Sequence, residues 1–240
     1  MTTGSSNNTP TPDDTAQAGS ATNLVALADV SGSMASIADD MVEGWNALLE
    51  RQRAEGTDVR VTFVKFDTED PCDVVHLGVP IAEVLPLGSG DYVPRGGTPL
   101  LDALGRSIAL VQQRVATDGA PVVFVVITDG QENASSEFSL VQIRELITAR
   151  QNAGWQFVFL SADMEAFNEA GDIGFSRGSS KVFHKTKAGT RSAFSQLSDE
   201  MAEFRGKRRR GETVDTAKFF SDDSVVIDEF LAGDDPDTVD

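Results

Sequence analysis

The chain has 240 residues, with 20 Lys and Arg against 38 Asp and Glu, so its formal net charge is −18 at pH 7. This negative excess argues against a nucleic-acid or anionic-membrane surface, because phosphate binding depends on a local excess of Lys and Arg. A single cysteine excludes an intrachain disulfide and a zinc site built from several thiolates.

Composition divides the chain into three parts. Residues 1–22 are rich in Ser, Thr, Asn and Pro, which predicts a disordered N-terminal tail. Residues 23–206 carry the apolar patterns of one folded domain, and residues 207–240 combine a basic run with an acidic C-terminal tail. Neither a signal-peptide pattern nor a membrane-spanning apolar run is present, so we expect a cytoplasmic protein that binds neither membrane nor nucleic acid.

Five stretches of strand length follow one another along the domain: residues 24–28, 59–63, 74–77, 122–127 and 157–160. The first, fourth and fifth are nearly uninterrupted apolar runs, which is typical of central parallel strands covered on both faces. The second alternates apolar with polar residues, which predicts a strand with one wetter face. The third is predicted to be an edge strand.

Helical periodicity fills the gaps between these stretches. Apolar side chains recur every three or four residues in segments 37–52, 101–115 and 194–204, which predicts amphipathic helices packed on a core. The alternation of strands and helices predicts an α/β fold: a doubly wound, mostly parallel, Rossmann-like sheet with helices on both faces. Such sheets bind ligands at the carboxyl ends of central strands, where the strand order reverses.

Oxygen-bearing side chains gather at that expected position. The first strand runs into Asp-Val-Ser-Gly-Ser, a later one ends in Thr-Asp-Gly, and a Gly-Gly-Thr-Pro-Leu loop lies between them. The side chains expected to converge are Asp29, Ser31, Ser33, Thr98 and Asp129. Carboxylate and hydroxyl oxygens select a hard divalent ion such as Mg²⁺ or Mn²⁺. Ca²⁺ fits less well, because it prefers more ligands and more carboxylates.

These residues also have simpler structural interpretations. Thr98 precedes Pro99 and would be a good helix N-cap. Asp29 and Asp129 could start turns. Asp102, one turn into the helix after Thr98, could support the metal site from behind. Turn chemistry alone does not explain why all five candidates fall at one edge of the sheet.

The three segments together resemble the metal-ion-dependent adhesion site of von Willebrand factor type A (VWA) domains. The likeness covers roughly residues 23–204, and all three motif parts are present without substitution. It looks closest to the small, soluble bacterial branch of the family. The resemblance implies that Asp29, Ser31, Ser33 and Thr98 hold the metal and that Asp129 acts through water.

The resemblance also implies a function. VWA domains bind partners by letting an Asp or Glu of the partner complete the coordination of the metal, so we expect a non-enzymatic, Mg²⁺-dependent adaptor. Cytosolic members often work beside an AAA+ ATPase or in stress-response assemblies, which makes such a partner the expected one. Met34, Tyr92 and Phe138, on loops expected near the metal, are candidates for further partner contacts.

Two other functions stay open. A Mg²⁺- or Mn²⁺-dependent hydrolase could use the same ion as a Lewis acid. Phosphatases of the haloacid-dehalogenase type need Asp-x-Asp at this strand end, whereas position 31 is Ser here, so the proton donor of that chemistry is missing. Alternatively, the protein interacts through its acidic tail, because residues 211–240 contain ten acidic residues and only one lysine.

Overall fold

The computed structural model describes residues 21–115 and 119–221, together with the backbone of residues 226–227. Residues 1–20 of the expected N-terminal tail and most of the acidic C-terminal tail lie outside these residues, whereas Thr22, predicted to belong to the tail, is the first residue of β1. The strands are β1 (Thr22–Asp29), β2 (Val59–Phe66), β3 (Asp73–Pro80), β4 (Val122–Thr128), β5 (Gln156–Ser161), β6 (Ser180–Phe183) and β7 (Val226–Ile227). The helices are a 3₁₀ helix (Gly32–Ile37), α1 (Ala38–Ala54), α2 (Leu100–Arg114), α3 (Leu140–Asn152), α4 (Met164–Ile173) and α5 (Lys187–Arg209).

All the described strands form one sheet in the order β3-β2-β1-β4-β5-β6-β7. Only β3, at one edge, pairs antiparallel with its neighbour. The predicted doubly wound, mostly parallel sheet is therefore confirmed, and so is the edge position of residues 74–77. The order reverses between β1 and β4, which are parallel neighbours. This is the position at which such sheets bind ligands.

Each face of the sheet is covered by its own apolar core. Along β1, Leu24 and Ala26 face one core while Val25 and Leu27 face the other, and all four are 0% exposed. Helices α1 and α5 cover the first face, and α2 and α3 cover the second. The uninterrupted apolar run of β1 follows from this double coverage, because a strand buried on both faces has no wet side. Within the described ranges, no helix is long and apolar enough to span a bilayer.

The structure differs from two sequence-based expectations. The predicted domain boundary after residue 206 falls inside α5, which continues to Arg209. The chain beyond it packs back on the domain, because Phe219 and Phe220 are buried in the first core. Thr98 does not cap a helix either, because α2 begins at Leu100 and its N-cap is Pro99. The first-turn N–H groups of Leu101 and Asp102 donate instead to the side chains of Glu132 (2.9 Å) and Ser135 (3.1 Å).

Candidate metal centre

The pairing of β1 with β4 brings the first and last motif segments together. Ala28 lies beside Ile127 in the parallel register, so the two strands deliver their next residues to the same edge. Thr128 Oγ1 donates a hydrogen bond of 2.6 Å to Asp29 Oδ2. The carboxylate that ends β1 is thus tied directly to the residue that ends β4.

Asp29 is a buried carboxylate surrounded by donors. It is 0% exposed, and its Oδ1 accepts a hydrogen bond of 2.6 Å from the backbone N–H of Ser31. Burial raises the pKa of Asp29 to about 6, against the lowering effect of the hydrogen bonds from Thr128 and Ser31. A negative charge on this buried carboxylate is costly without a nearby cation. A metal-binding carboxylate has the same cost when no metal is bound.

The two serines connect Asp29 to Asp129. The hydroxyls of Ser31 and Ser33 lie 3.1 Å apart, and Ser33 Oγ donates to Asp129 Oδ1 at 2.6 Å. Ser31 is 2% exposed and Asp129 is 6% exposed, whereas Ser33 is exposed to solvent. The cluster is therefore buried at its floor, where Asp29 lies, and open to solvent at Ser33.

The loop before α2 brings Thr98 to the same place. Gly32 N donates to Gly96 O at 3.1 Å, so this loop is joined to the serine-bearing turn by a backbone hydrogen bond. Gly96 has a φ of 66°, and a Cβ there would meet Thr68 Oγ1 at 2.3 Å, so only glycine fits. A Cβ on Gly130 would lie 3.2 Å from Thr98 Oγ1 and 3.7 Å from Ser33 Oγ. The Thr98 hydroxyl therefore lies beside both other segments.

Three residues of this site were not among the side chains predicted to form it. Thr128 anchors Asp29, and Asn133 holds Thr98 through two bonds, from Thr98 N to Asn133 Oδ1 (2.9 Å) and from Asn133 N to Thr98 O (3.2 Å). Lys185, in the loop between β6 and α5, forms an ion pair with Asp129 Oδ2. Thr128 could have been found as the hydroxyl before Asp129, but nothing local marks Lys185 as a neighbour.

The residues expected to contact a partner are arranged differently. Met34 is 0% exposed and Tyr92 is 3% exposed, so neither presents a contact surface. The Tyr92 hydroxyl instead donates to the backbone oxygen of Asp29 and supports the site from below. Phe138 is half-buried and packs against the second core. The expected partner contacts of Met34 and Tyr92 were wrong because both side chains pack inward from their loops.

Asp102 serves the surrounding loop. Its carboxylate accepts hydrogen bonds of 2.8–2.9 Å from the backbone N–H groups of Ser136, Glu137 and Phe138. Although burial opposes it, these bonds lower the pKa of Asp102. Asp102 therefore fixes the segment after Asp129 against α2, and any effect on a metal would pass through that segment.

The donor set of the site fits a hard divalent cation. Two carboxylates and three hydroxyls surround the point where β1, the Thr98 loop and β4 meet. Hard oxygen donors of this kind suit Mg²⁺ or Mn²⁺, with waters completing the coordination. In the described part of the chain, no cluster of three or more His, Cys, Asp or Glu side chains forms a metal site. A cation held at this point would need hydroxyl oxygens beside the two carboxylates.

Solved structures of similar fold are VWA domains and adhesins. The pilus adhesin SpaC from Lactobacillus rhamnosus GG superposes with a TM-score of 0.63 at 13% identity, over 78% of this chain and 31% of the adhesin. A von Willebrand factor type A protein from Catenulispora acidiphila gives 0.53 at 16% identity, over 76% and 43% of the two chains. The fold is VWA-like.

A third structure of the VWA-like group contains a metal. Proximal thread matrix protein 1 from the mussel byssus, whose metal-ion-dependent adhesion site is occupied by zinc, gives a TM-score of 0.56 at 14% identity, over 77% of this chain and 46% of that protein. The present chain spans less than half the length of each of these three structures. No protein-family model and no curated protein sequence matches it.

Proposed function

We propose that this VWA-like domain is a non-enzymatic adaptor that binds a divalent cation and captures an acidic side chain of a protein partner. The observation that carries the proposal is the convergence of oxygen-bearing side chains from three distant segments on one sheet edge. The residues that would hold the cation are Asp29, Ser31, Ser33, Thr98 and Asp129. Mg²⁺ is the proposed ion, with Mn²⁺ or Ca²⁺ as substitutes.

Each side chain has a role that its burial supports. Asp29 lies at the base, where its negative charge has no described cation in direct contact. Ser33 lies at the open side, where the carboxylate of a partner would arrive. Asn133 and Tyr92 keep the Thr98 loop and the end of β1 in position. A bound cation would supply the positive charge that lets this acidic chain accept a carboxylate.

Metal binding is tested first. We expect isothermal titration calorimetry with Mn²⁺ or Mg²⁺ to show one site per chain, weakened at least about tenfold by Asp29→Asn, because the base carboxylate loses its charge. Asp39→Asn is the matched control, since it removes one exposed carboxylate from the first turn of α1. Equal binding by Asp29→Asn and the unmodified protein, with both folded by circular dichroism, would place the cation elsewhere.

Partner capture is tested next, by pull-down from native lysate read by mass spectrometry. A protein recovered by the unmodified chain in Mg²⁺, but not in chelator and not by Asp29→Asn, would support the adaptor function. An AAA+ ATPase or a stress-response assembly is the partner class we propose. Recovery of the same proteins under all conditions would contradict it. Loss only on deletion of residues 228–240 would instead favour the acidic tail, and this deletion spares β7 and the buried Phe219 and Phe220.

A serine hydrolase, which would differ from the metal-dependent hydrolase alternative, gains no support from the one Gly-x-Ser-x-Gly motif in the chain. Gly174, Ser176 and Gly178 match Gly-x-Ser-x-Gly, but they lie between α4 and β6. A nucleophile elbow needs the opposite order, a strand running into a helix. Ser176 Oγ also donates to the backbone oxygen of Ala217 at 2.7 Å. Turnover of phosphoesters with Mg²⁺ or Mn²⁺, lost in Asp29→Asn, would nevertheless establish the enzyme.

A further inference from the structure

The candidate metal centre already contains a cation that belongs to the chain. The ammonium group of Lys185 forms an ion pair with Asp129 Oδ2, while the other oxygen of Asp129 accepts the hydroxyl of Ser33. The Asp129 side chain is 0% exposed, so this pair is shielded from water on the carboxylate side. Lys185 itself is 35% exposed, so its side chain has room to leave towards solvent.

The pairing matters because the site has few negative charges. Two carboxylates contribute −2, and Asp29 already accepts hydrogen bonds at both oxygens from Ser31 and Thr128. The ammonium of Lys185 reduces the net charge of the cluster to −1. A divalent cation that approached with Lys185 in place would meet a like charge a few ångströms away, and that repulsion is strong where water is excluded.

We propose that Lys185 is an internal competitor for the metal, whose ammonium must leave Asp129 when a divalent cation binds. This inference rests on the proposed metal site and adds a residue that tunes its affinity. The displaced ammonium would then lie at the open side of the site, where it would assist a carboxylate of the partner. Lys185 is a positioning residue in this proposal, since the five oxygen-bearing side chains hold the cation.

The first test measures affinity for the metal alone. We expect Lys185→Met, which keeps an unbranched side chain one atom shorter and removes the charge, to bind Mn²⁺ about tenfold more tightly by isothermal titration calorimetry. Lys185→Arg retains the charge and is expected to stay within a factor of three of the unmodified protein. Lys187→Met is the matched control, because Lys187 is only two residues away but pairs with Glu43 at 3.0 Å, outside the site.

The second test follows the ammonium itself. Acetylation by an amine-reactive ester, quantified by peptide mass spectrometry, is expected to increase several-fold at Lys185 when Mg²⁺ saturates the site, because the amine loses its ion pair. Lys187 serves as the internal reference, since its partner Glu43 is not a metal ligand. Unchanged labelling of Lys185 in saturating Mg²⁺ would contradict displacement.

The outcomes separate this inference from the function on which it rests. If the unmodified protein binds Mn²⁺ and Lys185→Met binds equally or less tightly, competition is overturned while the metal site stands. If only Lys185→Met binds, competition is supported and the lysine suppresses loading. If neither protein binds Mn²⁺ at millimolar concentration, both the metal site and its competitor are overturned.

Discussion

Asp29 is as deeply buried as the leucines and valines of the same strand, although it carries an ionisable group. Burial raises its pKa to about 6, with a smaller contribution from repulsion by Asp129, and the hydrogen bonds from Thr128 and Ser31 only partly offset this. The metal-free protein therefore bears an unfavourable charge at neutral pH. The same charge is what makes the position suitable for a cation.

This environment predicts the pH dependence of stability without metal. The raised pKa means that the folded state binds more protons than the unfolded chain between about pH 4 and pH 6, so stability is present at low pH and lost as pH rises through that window. In chelator, we expect the free energy of unfolding, relative to Asp29→Asn, to fall by up to about 3 kcal/mol from pH 4 to pH 7. Urea denaturation of both proteins measures this change. A free energy of unfolding, relative to Asp29→Asn, that rises from pH 4 to pH 7 would contradict the raised pKa.

Individual side chains mark the limit of sequence-based prediction at this scale. The motif spacing predicted that Asp29, Ser33 and Asp129 would meet, because parallel strands end at a common edge, and the structure brings them together. The spacing could not reveal the inward packing of Tyr92, which depends on how its loop crosses the sheet. Nor could it reveal Lys185, because an ion pair between distant loops leaves no local pattern.

The contact between α1 and α5 depends on one missing side chain. A Cβ on Gly44 would lie 2.2 Å from the ring of Phe194, so glycine allows the two helices to approach. Gln52 and Arg205 fix the other end of the pair, where Arg205 donates to Gln52 Oε1 at 2.8 Å and also pairs with Asp58. The helices that cover the first core are thus held together by both shape and hydrogen bonding.

A pair of glycine substitutions tests this packing. Gly44→Ala is expected to destabilise the fold by about 1–3 kcal/mol, because overpacking the buried ring outweighs the helix propensity gained. Gly171→Ala, in α4, is the control. A Cβ at Gly171 would have no other atom within 4 Å, so we expect about 0.5–1 kcal/mol of stabilisation from the gain in helix propensity. Thermal or urea unfolding would measure both, and a neutral or stabilising Gly44→Ala would mean that α5 yields easily.

Strands and helices were predictable from the sequence where their buried residues follow a regular apolar pattern. The runs that became β1, β4 and β5 are apolar on both faces, and the stripe on α5 is regular over several turns. By contrast, β6 has only four residues and includes the buried Lys181, so it lacks the apolar signature of its neighbours. Its place in the sheet follows from tertiary packing.

For the whole molecule, the chain after α5 is part of the folded unit. Phe219 and Phe220 are 7% and 2% exposed, and their backbone N–H groups both donate to Gly178 O at 3.1 Å. Lys181 also lies over the Phe220 ring, 5.4 Å from its centroid. The acidic composition that begins at residue 211 therefore overlaps with a packed segment, and composition alone could not separate the two.

Truncation tests this extent of the domain. A chain that ends after Arg210 is expected to lose at least about 3 kcal/mol of stability relative to one that ends after Ser221, since it removes two buried aromatic side chains from the first core. Urea denaturation compares the two chains. Equal stability would mean that residues 211–221 rest on the surface without contributing to the core.

The assembly of the site from three segments also has a consequence for the order in which the protein acquires its properties. Ser33 and Asp129 are 96 residues apart, and Asp29 and Thr128 are 99 apart. During synthesis, four of the five oxygen-bearing residues precede β4 along the chain, yet the buried base forms only when β4 pairs with β1. If the proposed cation site is correct, a nascent chain would be unable to bind the cation until β4 has paired with β1, so metal binding during folding would report that pairing.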